Sequence, residues 1–526
     1  MRFIPPAYIG LILFFLILVL AFGNAQVFGD PDTAWHIASG ELIRSLHAIP
    51  LFDNWSFTAA GEHWYNLSWL FDVLISLLFN YGGFTALYLL TILVFAGSIT
   101  YMCKESLRRG ASILSVLLLL LPTLLVVFNS TLARPHLCSI VLTIAFYQLL
   151  WNFRETRKTC HLIILPALMV LWVNLHGGFL LAFPIMALFF AEAVFLHERE
   201  KARNYAMIIA LCFVATSINP YGLSVYYGAY KTLAATFNVS LVEWQPAEIG
   251  HNVSMTLMLL LALCVFSSFD KRIAPVDRTL AIMLLILSLS SVRHGAITVL
   301  LIMPYMALRI TNLLNESPFA EHLRKIDNAI MLDMQKPDIR IMASVMAIVA
   351  VVSITLPYPR DSILKEPIGF PVKNFPVKEA AYIAEHYPNL RFFNHYNIGG
   401  YLDYLWHGKV KVFVDGRANS LYSEDLLNDY TEFVENYGFG GRAKTIASEY
   451  KLDGLIIPNN DKNAGLWRWN TDWNIAYVGD VATVYLRKDL PLPPNMTLKP
   501  SNLSSSKSYQ GHHLRSPLPP VQKTDQ

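Results

Sequence analysis

Charge is scarce in this chain. Asp, Glu, Lys and Arg make up 15% of the 526 residues, against 54% hydrophobic, and a single soluble core does not need that much apolar sequence. A strong net charge is missing too. The balance is +3, and the basic residues sit in short loops rather than on one face, which gives nucleic-acid binding no support. Cysteine is sparse: Cys103, Cys138, Cys160, Cys212 and Cys264 all lie in or beside apolar segments, and no CxxC occurs. Neither a disulfide framework nor a zinc site is indicated. No internal repeat is visible.

What the chain has is long apolar runs, up to about residue 357. A spanning helix needs about 20 apolar residues to cross roughly 30 Å of hydrocarbon. Candidate spans fall at 6–26, 84–102, 111–129, 136–153, 161–175, 179–196, 205–218, 254–269, 279–291, 295–311 and 339–357. The first reads as an uncleaved span, although Ala21-Phe22-Gly23-Asn24-Ala25 offers the small residues of a signal-peptide end. Ser68–Tyr81 is apolar but short, carries Asp72, and opens beside Trp64 and Trp69. It is expected to lie on the membrane surface.

Loop charge supports that assignment. With Arg2 in the cytoplasm and Ser68–Tyr81 not crossing, the inner loops hold Lys104, Arg108 and Arg109; Arg154, Arg157 and Lys158; Arg199, Lys201 and Arg203; Lys271, Arg272 and Arg278; and Arg324, Lys325 and Lys336. The outer loops before the C-terminal domain hold only Arg44, Arg134, Lys231 and Arg293. This is the positive-inside bias, and letting Ser68–Tyr81 span would destroy it. The expected fold is a polytopic α-helical membrane protein of about 11 transmembrane helices plus juxtamembrane helices. A small extracytoplasmic α/β domain follows at 358–490, with a Pro-, Ser- and Asn-rich disordered tail at 491–526. In that domain Lys411–Val414, Gly454–Ile457 and Val481–Leu486 read as strands, and Glu379–Glu385, Ser423–Tyr437 and Arg442–Tyr450 as helices.

The polar clusters fall on the outer side. The first outer loop, 27–83, opens with Gly29-Asp30-Pro31-Asp32-Thr33-Ala34-Trp35-His36. Asp30 can cap a helix whose first residue is Pro31. Capping does not explain Asp32 and His36, which share a helix face. Two carboxylates and an imidazole suit either a divalent metal, such as Mg or Mn on Asp30 and Asp32, or a general base. Farther along, Trp64, Asn66 and Trp69 suit sugar stacking or an interfacial aromatic belt. Arg134-Pro135-His136, Asn174-Leu175-His176, Glu243-Trp244 and Arg293-His294 mark other outer turns. Arg134 and Arg293 either snorkel to the interface or grip a phosphate bidentately. Val414-Asp415-Gly416-Arg417 reads as a strand ending in a turn, and its Asp and Arg could also contact an acceptor.

An N-terminal span, an outer loop opening on Asp30-Pro31-Asp32, surface helices, further spans and an outer soluble domain together resemble the GT-C superfamily of membrane glycosyltransferases. These use polyprenyl-phosphate sugars; protein O-mannosyltransferases and the lipid A aminoarabinose transferase are examples. The resemblance covers roughly residues 1–357. It implies that Asp30 and Asp32 act as base or metal ligands, and that Arg134 and Arg293, with His136 and His294, hold the donor phosphate. His36, Trp64, Asn66, Asn174, His176, Glu243 and Trp244 would line the substrate site. It implies an inverting transfer to a glycan, lipid or protein acceptor, in a multi-pass protein of a bacterial inner membrane and cell envelope. Two departures stand out. Glu62–Trp69 occupies the place of a His-Pro-Pro motif, and the outer domain is similar to that of other bacterial membrane proteins. A transporter or flippase would need ionisable residues near the midplane of the spans, which show few. A non-catalytic assembly partner in envelope polysaccharide synthesis remains the other alternative.

Overall fold

The computed structural model describes residues 6–23, 27–128, 130–234, 242–246, 273–355, 369–436, 439–460, 464–467 and 470–492. The expected span at 254–269 and the tail beyond residue 492 lie outside them. Each other expected span falls on a helix. In chain order the helices are α1 (Ala7–Gly23), α2 (Asp32–Leu46) in the first loop, α3 (Trp69–Arg108), α4 (Ile113–Phe128), α5 (His136–Thr156), α6 (Cys160–Leu175), α7 (Ala182–Phe195), α8 (Arg199–Ala215) and α9 (Val225–Ala234), the last, like α2, outside the expected spans. The helices Pro275–Ser290, Gly295–Glu316 and Pro337–Thr355 follow.

Among the described residues four stretches are long and apolar enough to cross a membrane: Trp69–Arg108, His136–Thr156, Gly177–Phe195 and Val292–Glu316. Large apolar side chains such as Leu118, Leu121, Ile163, Phe195 and Val214 face outward. Water would penalise that surface and lipid does not. The chain is therefore built as a multi-pass membrane protein.

The segment Ser68–Tyr81 forms the first arm of α3. The helix breaks at Gly83, whose φ of +58° lies in the left-handed region that glycine enters without a Cβ clash. The arm packs on α2, and the longer arm beyond Gly83 enters the bundle.

Helices joined by short turns alternate in direction. The turns carrying Arg134, His176 and Arg293 thus gather at one end of the bundle, and Lys104–Arg109, Arg154–Lys158 and Arg199–Arg203 at the other. At the basic end the charges pair. Arg109 Nε donates to Glu105 at 2.8 Å, Tyr147 donates to Asp277 at 2.7 Å, and Arg154 Nε donates to Glu192 at 2.6 Å.

The C-terminal region is a four-stranded sheet of order β1-β2-β4-β3, with β1 (Phe392–Asn394), β2 (Gly454–Pro458), β3 (Trp473–Val478) and β4 (Ala482–Arg487). The β1–β2 pair is parallel and the others are antiparallel. Alternation along the strands fills both faces. Phe392, Ile456, Val484 and Leu486 pack with Leu402 and Trp406. Phe393, Leu455, Ile457 and Tyr485 pack with Phe433 and Trp467.

Lys411–Val414, expected as a strand, joins the sheet nowhere. Asn394 side-chain atoms take its hydrogen bonds, accepting from Phe413 N at 2.7 Å and donating to the Val414 carbonyl at 2.7 Å. The segment bridges instead to Ser56 of the first loop. A helix not anticipated from sequence, Tyr396–Trp406, crosses beneath and packs on α2.

Candidate functional site

The acidic motif folds around one guanidinium. Asp30 Oδ1 accepts the Asp32 backbone N–H at 2.6 Å, as an N-cap does, and fixes the start of α2. Its other oxygen contacts Arg134 Nη2, which also lies 3.3 Å from Asp32 Oδ2. Arg134 Nη1 donates to Glu243 Oε2 at 2.8 Å. One arginine thus joins three carboxylates from two separate loops.

Trp35 Nε1 donates to Asp32 Oδ1 at 3.2 Å. Burial, then the charge of Glu243, pushes the Asp32 carboxyl up to about 7. Burial also acts to raise Glu243, but Arg134 and then Arg293 hold it below the ordinary carboxylate range.

Beside this cluster is a cavity of about 300 Å³. Asp32, His36, Arg134, His136, His176, Glu243 and Arg293 line its polar side, and Val126, Ile140, Val292 and Ile297 its apolar side. Arg293 lies in the turn before Gly295–Glu316, its guanidinium 4.1 Å from the centre of the Trp244 ring. The Glu243 turn is tied to the same corner by Ser291 Oγ, which donates to the Glu243 carbonyl at 3.0 Å.

The histidines are held from behind. His36 Nδ1 lies 2.6 Å from Asp72 Oδ1, and Asn66 donates to the other Asp72 oxygen at 2.7 Å. Ser139 Oγ sits 2.6 Å from His176 Nδ1 and accepts from Trp172 Nε1 at 2.8 Å. Burial, then the Arg293 charge, holds His176 well below its ordinary value, so it is neutral. His136 Nε2 donates to the Ser130 carbonyl at 2.8 Å.

Other residues expected in the substrate site stand back from the cavity. Asn66 fastens α2 to α3 through Ser39 and Asp72. Asn174 accepts from Trp69 Nε1 at 2.8 Å and donates to the Ile218 carbonyl at 2.8 Å. Trp64 is buried against Trp35 and Trp55. Trp244 acts through Arg293, and His294 is not among the lining residues.

The C-terminal sheet region closes over the acidic motif. Gly416 lies so close that a Cβ there would overlap Asp32 Oδ1 and stand 2.8 Å from Trp35 Nε1. At Gly400 a Cβ would stand 2.8 Å from Trp35 and 2.9 Å from the Pro31 carbonyl. Only glycine permits backbone this near.

Next to them Arg417 is buried. It donates to Asp53 of the first loop at 2.7 Å and to Asp415 at 2.9 and 2.6 Å. The rings of Trp55 and Trp64 lie about its guanidinium, at 5.1 and 4.9 Å. Burial, then Asp415, pushes the neighbouring Asp403 carboxyl well above the ordinary carboxylate range.

Sequence reasoning did not assign Asp53, Ser139 or Asp403 any role. Asp72 carried a signal, as a carboxylate inside an apolar helix.

No protein-family model and no curated protein matches the chain. Solved structures do. The archaeal oligosaccharyltransferase AglB from Archaeoglobus fulgidus, in complex with an inhibitory peptide and a dolichol-phosphate, aligns with a TM-score of 0.59 at 9% identity, covering 86% of this chain and 69% of that one. The Archaeoglobus fulgidus oligosaccharyltransferase tethered to an acceptor peptide containing the NVT sequon aligns with a TM-score of 0.58 at 11% identity, over 92% and 74%. Its apo form gives 0.54 at 11% identity, over 93% and 75%. Over most of its length the chain has a fold similar to that of this archaeal oligosaccharyltransferase.

Proposed function

We propose that this protein is an inverting membrane glycosyltransferase that moves a sugar from a polyprenyl-phosphate donor to an acceptor hydroxyl. The observation that carries the proposal is the cavity. One half is apolar and formed by helix ends. The other half brings a carboxylate raised toward neutrality together with two arginines. Such a boundary fits a ligand with a lipid tail, a phosphate and a sugar. The fold supports the same reading, since its archaeal neighbour is seen with a dolichol-phosphate and a peptide.

In the transfer, Asp32 takes the acceptor hydroxyl proton as the oxygen attacks the anomeric carbon. The bond from that carbon to the phosphate oxygen breaks, and polyprenyl phosphate leaves with the electron pair. Arg293, and the Nε of Arg134 that has no hydrogen-bond partner among the described residues, offset the charge gathering on the phosphate. Asp30 caps α2 and anchors Arg134. His136 and His176, both neutral or donor-fixed, shape the sugar subsite. His36 is oriented by Asp72.

The transmembrane region is 1–357, with the first outer loop at 27–83. The α/β domain is 358–490, and the site lies on the extracytoplasmic face of a bacterial inner membrane, in keeping with the loop charge bias.

A panel of polyprenyl-phosphate sugars incubated with the purified protein in detergent or liposomes tests the proposal. Release of polyprenyl phosphate, with a product of inverted anomeric configuration, is expected. Binding and translocation of the lipid without sugar transfer would replace this reading with the flippase.

A further inference from the structure

The motif Asp30-Pro31-Asp32 is the part of the sequence that suggests a divalent cation, and the side chains around it do not fit one. Arg134 occupies the space among the carboxylates. Its Nη2 contacts Asp30 and lies 3.3 Å from Asp32, and its Nη1 donates to Glu243 at 2.8 Å. The remaining oxygens of the motif are engaged. Asp30 Oδ1 accepts a backbone N–H and Asp32 Oδ1 accepts from Trp35.

The imidazoles close by also have partners. His36 Nδ1 is on Asp72, His136 Nε2 on the Ser130 carbonyl and His176 Nδ1 on Ser139. Among the described residues no three His, Cys, Asp or Glu side chains converge as metal ligands do. A hard divalent cation wants about six oxygen donors. Here it would meet a fixed positive charge at contact distance, where repulsion in a partly buried site is several-fold stronger than in bulk water.

We infer that Arg134 is a built-in cation. Its guanidinium stands where the motif would otherwise hold a divalent metal, and it orders Asp30, Asp32 and Glu243 without one. The inference uses the cavity of the proposed transfer site, but its test does not depend on transfer.

Full-length protein in detergent, stripped with EDTA, is titrated with Mn²⁺ and free Mn²⁺ is read by electron paramagnetic resonance, with melting temperature followed in parallel. The parent is expected to bind no Mn²⁺ at this site and to melt at the same temperature with or without it. Arg134→Gln, and separately Arg134→Ala, remove the cation the three carboxylates are arranged around and leave them free to close on an ion. They should take up about one Mn²⁺ per chain with a rise in melting temperature, and adding Asp32→Asn should abolish the uptake.

Stoichiometric Mn²⁺ on the parent that is lost in Asp32→Asn overturns the inference. So does an Arg134 variant that melts cooperatively yet takes up none. If neither Arg134 variant folds, the parent titration alone decides. If the parent shows no transfer with any donor, the proposed function fails while the Mn²⁺ result still stands or falls by itself.

Discussion

Removing Arg417 should loosen the hold between the first loop and the C-terminal region, and the structure sets the size of the effect. The side chain is 1% exposed and faces two carboxylates, Asp53 and Asp415, that are wholly buried. Arg417→Ala strips both of their charge partner in a place water does not reach. Breaking a buried pair from one side costs about 3–5 kcal/mol. Two stranded carboxylates do not simply double that, because losses within one network are not additive, so the lower end applies. About 3 kcal/mol corresponds to roughly a hundredfold shift toward the undocked state. Hydrogen exchange on the full-length protein reads this directly. Peptides covering 52–66 and 410–423 should lose protection by about that factor, while those from α5 and α6 keep theirs. Arg417→Lys should fall between the two, since one ammonium cannot bridge both carboxylates in the fixed geometry of a guanidinium. Parental exchange at 52–66 in Arg417→Ala would refute the reasoning, and with it the claim that this arginine joins the loop to the sheet region.

Further outcomes follow from the site. Asp32→Asn should lower transfer by about 10²–10⁴-fold without lowering the melting temperature if Asp32 is the base; a variant within a few-fold of the parent excludes it. The transfer rate should climb with pH up to about 7 and level off above, as a base raised to that value requires. Because the carboxyl is raised in the folded state, its contribution to stability is present below the unfolded value and lost as pH rises through about 7, so melting temperature should drift down over the range where activity climbs. Gly416→Ala should depress transfer, since the added methyl meets the Asp32 carboxylate first and the Trp35 indole next; equal kcat and KM to the parent would show that Asp32 can give way. Arg293→Lys should weaken retention of a polyprenyl-phosphate lipid, measured by co-purification or thermal shift, because a point charge lacks the two-pronged contact. Unchanged retention would make Arg293 only a partner of Trp244.

Much of the bundle was readable because its physics is one-dimensional. Runs such as Ile113–Phe128 and Cys160–Leu175 are helices since nothing else satisfies their backbone in lipid. The break after Tyr81 was visible as a length deficit, and Gly82-Gly83 supplies the hinge that the deficit called for. The gathering of Arg134, His176, Glu243 and Arg293 followed from placing turns at one end of the spans. What could not be read was who touches whom. Asn66 and Asn174 carry the same polar groups as a sugar subsite, yet both spend them on Asp72, Ser39, Trp69 and Ile218. No local pattern distinguishes a fastening amide from a binding one. Lys411–Val414 has the apolar content of a strand, but its backbone pairs with Trp55 and Phe57 of the first loop and with the Asn394 side chain instead of the sheet, contacts set by tertiary packing.

The separation of Asp415-Gly416-Arg417 into two tasks shows what such packing adds. As a sequence it reads as a turn after a strand, with two charged residues free to meet a ligand. In the folded chain both charges are consumed in fastening: Arg417 to Asp53, and Asp415 to Arg417 and to Tyr422 at 2.8 Å. The residue without a side chain is the one that reaches the acidic motif. Fastening and contact need each other. Backbone can be set against Asp32 only if something rigid holds it there, and a buried guanidinium among carboxylates and indoles supplies that rigidity. The same logic runs through the other arginine at this site. Arg134 is also surrounded by carboxylates, but it is partly open to the cavity and keeps its Nε unpaired. One cation is sealed and structural. The other is poised at the cavity wall, where a phosphate would find a donor.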